Sequence, residues 1–170
     1  MSDEIMTPDP ARDIHTTTTD WRSLSKREIT SHPLYPLFYP RSVAVVGASP
    51  KGGYGLGVVN ALKSFEYGGA IYPVNPNYDD IAELRAYPNI GAIPDEVDAV
   101  AIAVPSRAVP GVVRQAIEAG AKSAVAFGSG FAEAGDDGQA LQAELRQLCG
   151  SRFPLIAPNC LGVMNYLAGV

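Results

Sequence analysis

Five short apolar runs recur along this 170-residue chain and constrain its fold more than any other feature: SVAVV (42–46), AIYPV (70–74), AVAIAV (99–104), SAVAF (123–127) and PLIA (154–157). None shows the strict alternation expected of a strand with one wet face. Runs that are apolar on both sides suit strands of a parallel sheet covered by helices above and below. Between them, apolar residues fall at helical spacing over 55–66, 106–119 and 136–149, and more weakly around 79–86. The alternation predicts an α/β domain, a doubly wound parallel sheet of Rossmann-like type. Pro73, inside the second run, brings no N–H to a ladder, which suits an edge strand.

The segment before the first run has a different character. Residues 1–31 are polar, threonine-rich and poor in large apolar side chains, and read as a flexible tail that cannot offset its ordering entropy by burial. A short helix over 20–29, capped by Asp20 and with Trp21 and Leu24 as its apolar edge, is the one element expected there. Pro33, Pro36 and Pro40 forbid a long regular element in HPLYPLFYPRS, so the domain is assigned to 32–170, with its regular structure beginning after Pro40.

Composition narrows the functional classes. A formal charge of −5 argues against nucleic acid and anionic membrane as partners, both of which select clustered Lys and Arg. The longest apolar stretches fall far short of a membrane span, and the acidic start MSDEIM does not resemble an export signal. Cys149 and Cys160 have no metal-ligand spacing and are too few for a disulfide framework, which points to a reducing cytoplasm and no metal site.

Ligands of open α/β sheets bind beyond the carboxyl ends of the strands. Those ends read GASPKGGYG, NPNYD, PSRAVP, GSGFAEAG and APNCLG, all rich in Gly, Pro, Ser or Asn and able to bring backbone N–H groups close to a ligand. Turn chemistry alone would also place such residues there. A dinucleotide fingerprint needs GxGxxG and an acid at the end of the second strand; here Gly47 is followed by Gly52, Gly53, Gly55 and Gly57, and the second strand ends YPVNPNY with no carboxylate until Asp79. NAD is disfavoured. An NTPase phosphate loop needs Lys and Ser or Thr after its second glycine, where this chain has Gly53 and Tyr54, so ATP hydrolysis on this loop is disfavoured as well.

LFYPRSVAVVGAS, IYPVNPNYDD, VDAVAIAVPSRAVPGVV, SGFAEAG and APNCLGVMN, in this order from about Leu37 to Asn165, resemble the CoA-binding domain of the NDP-forming acyl-CoA synthetases, the superfamily of the succinyl-CoA ligase α subunit. The chain is most similar to the ADP-forming acetate–CoA ligase type. In that type a flavodoxin-like domain with a phosphorylated His and an ATP-grasp unit accompany this domain, and related protein acetyltransferases share the synthetase-like part. The resemblance implies coenzyme A or acyl-CoA as ligand and those domains, or a subunit carrying them, as partners.

Residue by residue, the resemblance places Gly47, Ser49, Pro50, Lys51 and Gly52 in the turn around the CoA phosphates. Asn75, Asn77 and Tyr78 follow the second strand, with Tyr78 where the succinyl-CoA ligase pattern has a ligand-facing lysine. Val104, Pro105 and Ser106 would lie near the nucleotide end, Phe127, Gly128 and Ser129 would contact CoA, and Asn159 and Cys160 would face its thiol. Ala157 replaces the first glycine of the family's GPNCxG motif. Against these roles stand plainer ones: Lys51 as a solvated loop lysine, Asn75 and Asn77 as turn residues, Ser106 as a helix cap, and Cys160 as a buried structural cysteine without a base to make it a nucleophile. Because His15 and His32 precede the regular structure, no catalytic residue is assigned, and the chain alone is expected to bind CoA without forming a thioester. A stand-alone nucleotide-binding regulatory module is the rival reading from another class.

Overall fold

The computed structural model describes residues 25–165 and 168–170, without the side chains of Pro158 and Asn159. His32–Val170 form one compact unit, and the described part of the other, Met1–Ser31, is a single short helix. That helix, α1 (Lys26–Ser31), opens on a capping box: Ser25 Oγ accepts from the Glu28 N–H, and Glu28 Oε2 accepts from the Ser25 N–H. Of the helix expected over 20–29, residues 26–29 fall within α1, which runs on to Ser31; Asp20, Trp21 and Leu24 lie outside the described residues.

In the larger unit, α2 (Tyr35–Phe38) precedes β1 (Ser42–Val46), α3 (Tyr54–Ser64) and β2 (Ala70–Val74). A small hairpin follows, β3 (Asp80–Ile81) and β4 (Leu84–Arg85), then β5 (Ala99–Ile102), α4 (Val109–Glu118), β6 (Ser123–Phe127), α5 (Asp136–Cys149) and β7 (Leu155–Cys160). Five strands form one parallel sheet in the order β2-β1-β5-β6-β7. The fold is the predicted Rossmann-like α/β type. No helix among the described residues is long and apolar enough to cross a membrane.

Alternate residues of the sheet pack on opposite faces. Ala44, Val46, Val100, Ile102, Ala124 and Ala126 join the core that contains Val109, Val113 and Ala116 of α4 and Leu145 of α5. Val43, Val45, Ala99, Ala101, Val125 and Phe127 join the core that contains Val59 and Leu62 of α3. Both sets are apolar, which is why these strands read as unbroken hydrophobic runs.

Pro73 occupies the edge strand β2 without loss of a ladder bond. Its carbonyl accepts from the Tyr87 N–H at 2.9 Å on the outer side, while Val74 O accepts from the Gly47 N–H at 3.0 Å toward β1. The imide nitrogen of Pro73 therefore faces away from β1, where no N–H is needed.

Several expectations are corrected. Residues 79–86 form the antiparallel hairpin instead of a weak helix, with Asp80 opposite Arg85 and Ile81 opposite Leu84. The last strand extends to Cys160, so most of APNCLG is strand instead of loop. Leu37, before Pro40, is 3% exposed and belongs to the α3-side core, so the fold begins ahead of that proline. Ser106 makes no cap at α4: a 3-10 turn over Ser106–Ala108 leads in, and Ala108 stands at the cap position with no side-chain cap bond.

Candidate functional site

Strand order reverses between β1 and β5, so their following connections run to opposite sides and leave a crevice beyond their carboxyl ends. Gly47 makes this junction close. A Cβ on Gly47 would sit 2.3 Å from the Ala103 carbonyl oxygen and 3.0 Å from Val104 Cγ1, and its φ of +90° lies in the left-handed region. The Ala103 N–H donates to Val46 O at 2.8 Å, which fixes the start of the loop carrying Val104 and Pro105.

Beyond Gly47 the chain makes a tight turn. Ser49 Oγ accepts from the Lys51 N–H at 3.2 Å, and Ser49 O accepts from the Gly52 N–H at 3.1 Å. The side chains of Pro50 and Lys51 are left exposed. Gly53, at the N-cap of α3 with φ +91° and ψ −179°, holds a conformation essentially reserved to glycine and supplies no side-chain cap. Among the described residues no capping side chain meets the first-turn N–H groups of α3, and the helix dipole adds a partial positive charge there. A Cβ added at Gly52 or Gly53 would meet nothing within 4 Å, so bare backbone faces open space. That is a cradle suited to phosphate oxygens, with the Lys51 ammonium beside it.

Asn75 ties two of the loops together. Its Nδ2 donates to Ala48 O at 2.7 Å, and its Oδ1 accepts from the Asn77 N–H at 3.0 Å. The amide thus holds the loop after β1 in place and makes an Asx turn after β2. Asn77 is exposed, and Tyr78 packs half-buried against the α3-side core.

At the ends of β5, β6 and β7 a pocket of about 370 Å³ is lined by Tyr54, Ala103, Val104, Phe127, Gly128, Ser129, Cys160 and Leu161. It brings together five residues singled out in the sequence: Val104, Phe127, Gly128, Ser129 and Cys160. Gly47, Ser49, Pro50, Lys51, Gly52, Asn75, Asn77, Tyr78 and Pro105 do not line it; the glycine turn adjoins it through Gly53 and Tyr54. The Asn159 side chain is outside the described residues. Cys160 is half-buried in the pocket wall, not sealed in the core, and its Sγ accepts from the Gly162 N–H at 3.3 Å. Cys149 lies elsewhere, at the end of α5, where burial pushes its thiol pKa up.

Sequence reasoning missed Tyr54, Ala103 and Leu161. The Tyr54 ring packs on Phe127 with centroids 4.9 Å apart, and its hydroxyl donates to Leu161 O at 3.1 Å. Its position at the first residue of a helix just past a glycine turn was the available signal. The loop after β6 is fixed by its own acid: Glu133 Oε1 accepts from the Gly130 N–H at 2.6 Å and the Phe131 N–H at 3.2 Å, and these bonds lower its pKa. His32 lies ahead of α2 in a turn, its Nδ1 accepting from the Leu34 N–H at 3.2 Å, and lines neither this pocket nor the glycine turn.

Comparison with known proteins places this geometry. Residues 41–166 match the family model described as a CoA binding domain. The chain is 44% identical over 140 residues to an ADP-forming acetate–CoA ligase II of Archaeoglobus fulgidus, covering 81% of this chain and 21% of that protein. It is 38% identical over 133 residues to the α subunit of ADP-forming acetate–CoA ligase II of Pyrococcus furiosus, covering 75% and 28%. A solved acetyl-coenzyme A synthetase 1 of Ca. Korarchaeum cryptofilum, in complex with phosphate and ADP, superposes with a TM-score of 0.76 at 37% identity, over 81% of this chain and 30% of that one. The chain spans about a fifth to a third of the length of these relatives.

Proposed function

The chain belongs to the CoA-binding domain family of the NDP-forming acyl-CoA synthetases, and on that premise we propose that it holds coenzyme A or an acyl-CoA across the carboxyl edge of its sheet. The observation that carries this reading is the pairing of two features: a phosphate cradle at Gly52–Gly53 and the uncapped start of α3, adjoining a largely apolar pocket that ends at Cys160. CoA has the same two characters, a phosphorylated nucleotide and an uncharged arm ending in a thiol. Lys51 supplies charge to the phosphates, Asn75 positions the cradle, and Phe127, Gly128 and Ser129 line the path of the arm. Cys160 is a wall residue without nucleophilic duty, since its hydrogen-bond partner among the described residues, the Gly162 backbone, offers no base.

We further infer that acyl transfer requires domains beyond these residues. The phosphohistidine relay and nucleotide chemistry of acid–CoA ligation call for a phosphorylated imidazole and magnesium ligands. His32 sits in a turn outside the pocket lining. The partner is thus a phosphohistidine and ATP-grasp unit, in one chain with this domain or in a second subunit.

Calorimetric titration of the chain with CoA, dephospho-CoA and NAD tests the reading. CoA is expected to bind more tightly than NAD; equal or tighter NAD binding overturns it. Thioester formation from acid, CoA and NTP is expected only when the complementary domains are added, and turnover by the chain alone, lost in His32→Ala, would relocate the active site.

A further inference from the structure

A second cavity, of about 510 Å³, runs along the α3 face of the sheet and is not used by the reading above. Its floor is the strand face carrying Val43, Ala101 and Val125, one wall is the α3 stripe Gly57, Val58, Ala61 and Phe65, and the other is Leu161–Met164. No charged residue among the described ones lines it. Its rim is unusually apolar for a surface: Tyr54 is 53% exposed, Leu161 89% and Met164 58%. Single exposed apolar residues need no explanation, but three around one trough mark a site that takes an apolar occupant. The volume lies within the range of small-molecule sites.

What occupies it follows from its connections. Gly53, which belongs to the phosphate cradle, also lines the trough. Tyr54, Phe127 and Leu161 are shared between the trough and the pocket at Cys160, and the hydrogen bond from Tyr54 to Leu161 O bridges the boundary. A ligand anchored by its phosphates at the cradle can therefore place an apolar end in the trough, whereas a ribose or phosphate would find few polar partners along its largely apolar walls. The α3 residues from Gly53 to Phe65 run about 18 Å at the helical rise, longer than an eight-carbon chain.

Resting on the CoA reading, we propose that the trough is the acyl site: the domain binds acyl-CoA thioesters carrying medium-length hydrocarbon or comparably apolar acyl groups in preference to acetyl-CoA or free CoA. The acyl group passes from the Cys160 pocket under the Tyr54–Leu161 bridge and lies on the sheet face beside Gly57 and Ala61.

Calorimetry with acetyl-CoA and octanoyl-CoA on the whole chain tests this. Each buried methylene is worth about fourfold in affinity, so six additional ones, partly buried, are expected to favour octanoyl-CoA by about 100-fold. Gly57→Leu is the decisive variant. A Cβ at Gly57 meets nothing within 4 Å, and Leu is a better helix former than Gly, so the variant folds while its side chain fills the trough. The octanoyl-to-acetyl preference should then collapse to a few-fold, and Ala61→Leu should act likewise. Equal binding of the two thioesters by the parent chain overturns the proposal, as does a preference that survives both variants. A chain that is dimeric in solution, becomes monomeric in Gly57→Leu and shows no acyl preference gives the trough to a second copy and also overturns it. If no CoA species binds, the CoA reading itself fails, and octanoyl-pantetheine, which lacks the nucleotide, decides the trough alone: saturable binding weakened by Gly57→Leu supports it, and no binding ends it.

Discussion

The two edges of the sheet are built on opposite plans. At the amino edge, charged side chains hold one another. Asp98, its side chain only 5% exposed, accepts from Arg41 Nε at 2.9 Å, the Arg41 N–H at 2.8 Å and Lys122 Nζ at 2.7 Å. Ser42 Oγ donates to Glu96 O at 2.7 Å and accepts from the Asp98 N–H at 2.9 Å, while Ser123 Oγ donates to Asp98 O, so β1, β5 and β6 are stapled together at their starts. At the carboxyl edge, the loops after the same strands carry few charges and present turns of glycine and small residues. Fixed charges stabilise where they are paired with one another; a ligand needs groups whose partners are still to come. The fold keeps the two needs at opposite ends of its strands.

Breaking the carboxyl edge at its tightest point has the largest expected effect. Gly47→Ala combines a positive φ with a contact no real Cβ makes, against the backbone carbonyl of Ala103. It should cost about 3 kcal/mol or more of stability, because strand ends and not a flexible side chain must move. Chemical denaturation measures it, and a loss below about 1 kcal/mol would show the junction to be soft.

The amino edge comes next. Burial alone would push the Asp98 pKa up, but hydrogen bonds from Arg41 and Lys122 outweigh it and hold the carboxyl well below the usual carboxylate range. A depressed folded-state pKa contributes stability that is present above the unfolded value, near 4, and is lost as pH falls toward the folded one. Asp98→Asn should therefore cost about 2 kcal/mol at neutral pH, a discount from the fully buried case because Arg41 is 72% and Lys122 37% exposed and can rehydrate. The parent and variant stability curves should converge as pH drops below 4, and CoA affinity should not change. Parallel curves down to low pH would mean that the carboxylate is not the stabilising group.

How much of this contrast was legible in the sequence differs between the edges. The strands were readable because neither face is left to solvent: β1 and β6 are buried throughout and β2 is buried or half-buried, so SVAVV, AIYPV and SAVAF coincide with β1, β2 and β6 to the residue. The hairpin at 80–85 was not, because two-residue strands leave no periodicity and its turn, Ala82 and Glu83 at φ +53° and +65°, uses neither Asn nor Gly. Val104, Phe127, Gly128, Ser129 and Cys160 could be nominated from strand ends, since parallel strands bring those ends together. Asn75 bridging to Ala48, Tyr54 on Phe127 and the Arg41–Asp98–Lys122 staple depend on side chains meeting across 27, 73, 57 and 24 residues, which no local pattern records.

Lys51→Ala sharpens the contrast by removing the one cation of the glycine turn. A charge-assisted contact from an exposed lysine should be worth about 1.5 kcal/mol of CoA affinity, shrinking in high salt, with folding stability unchanged because the side chain is exposed. Affinity unaltered at low salt would make Lys51 a solvated loop residue and leave the phosphates to backbone N–H groups alone.

The smallest effect separates conformational need from ligand need. Glu66 ends α3 at the amino edge with φ +54°, and the Tyr67 N–H donates to Leu62 O at 3.0 Å, the closing bond of a Schellman motif whose left-handed position favours glycine. Gly52 holds φ +107° at the carboxyl edge with open space where a Cβ would go. If glycine served both edges only by relieving strain, Glu66→Gly and Gly52→Ala would be mirror images, gaining and losing about 0.5 to 1 kcal/mol of stability. The cradle predicts a further asymmetry. Glu66→Gly should stabilise and leave CoA binding as it was, whereas Gly52→Ala should also weaken CoA several-fold, because its methyl group would stand where phosphate oxygens approach the backbone. A Gly52→Ala protein that loses stability but binds CoA as tightly as the parent would move the phosphates off this turn.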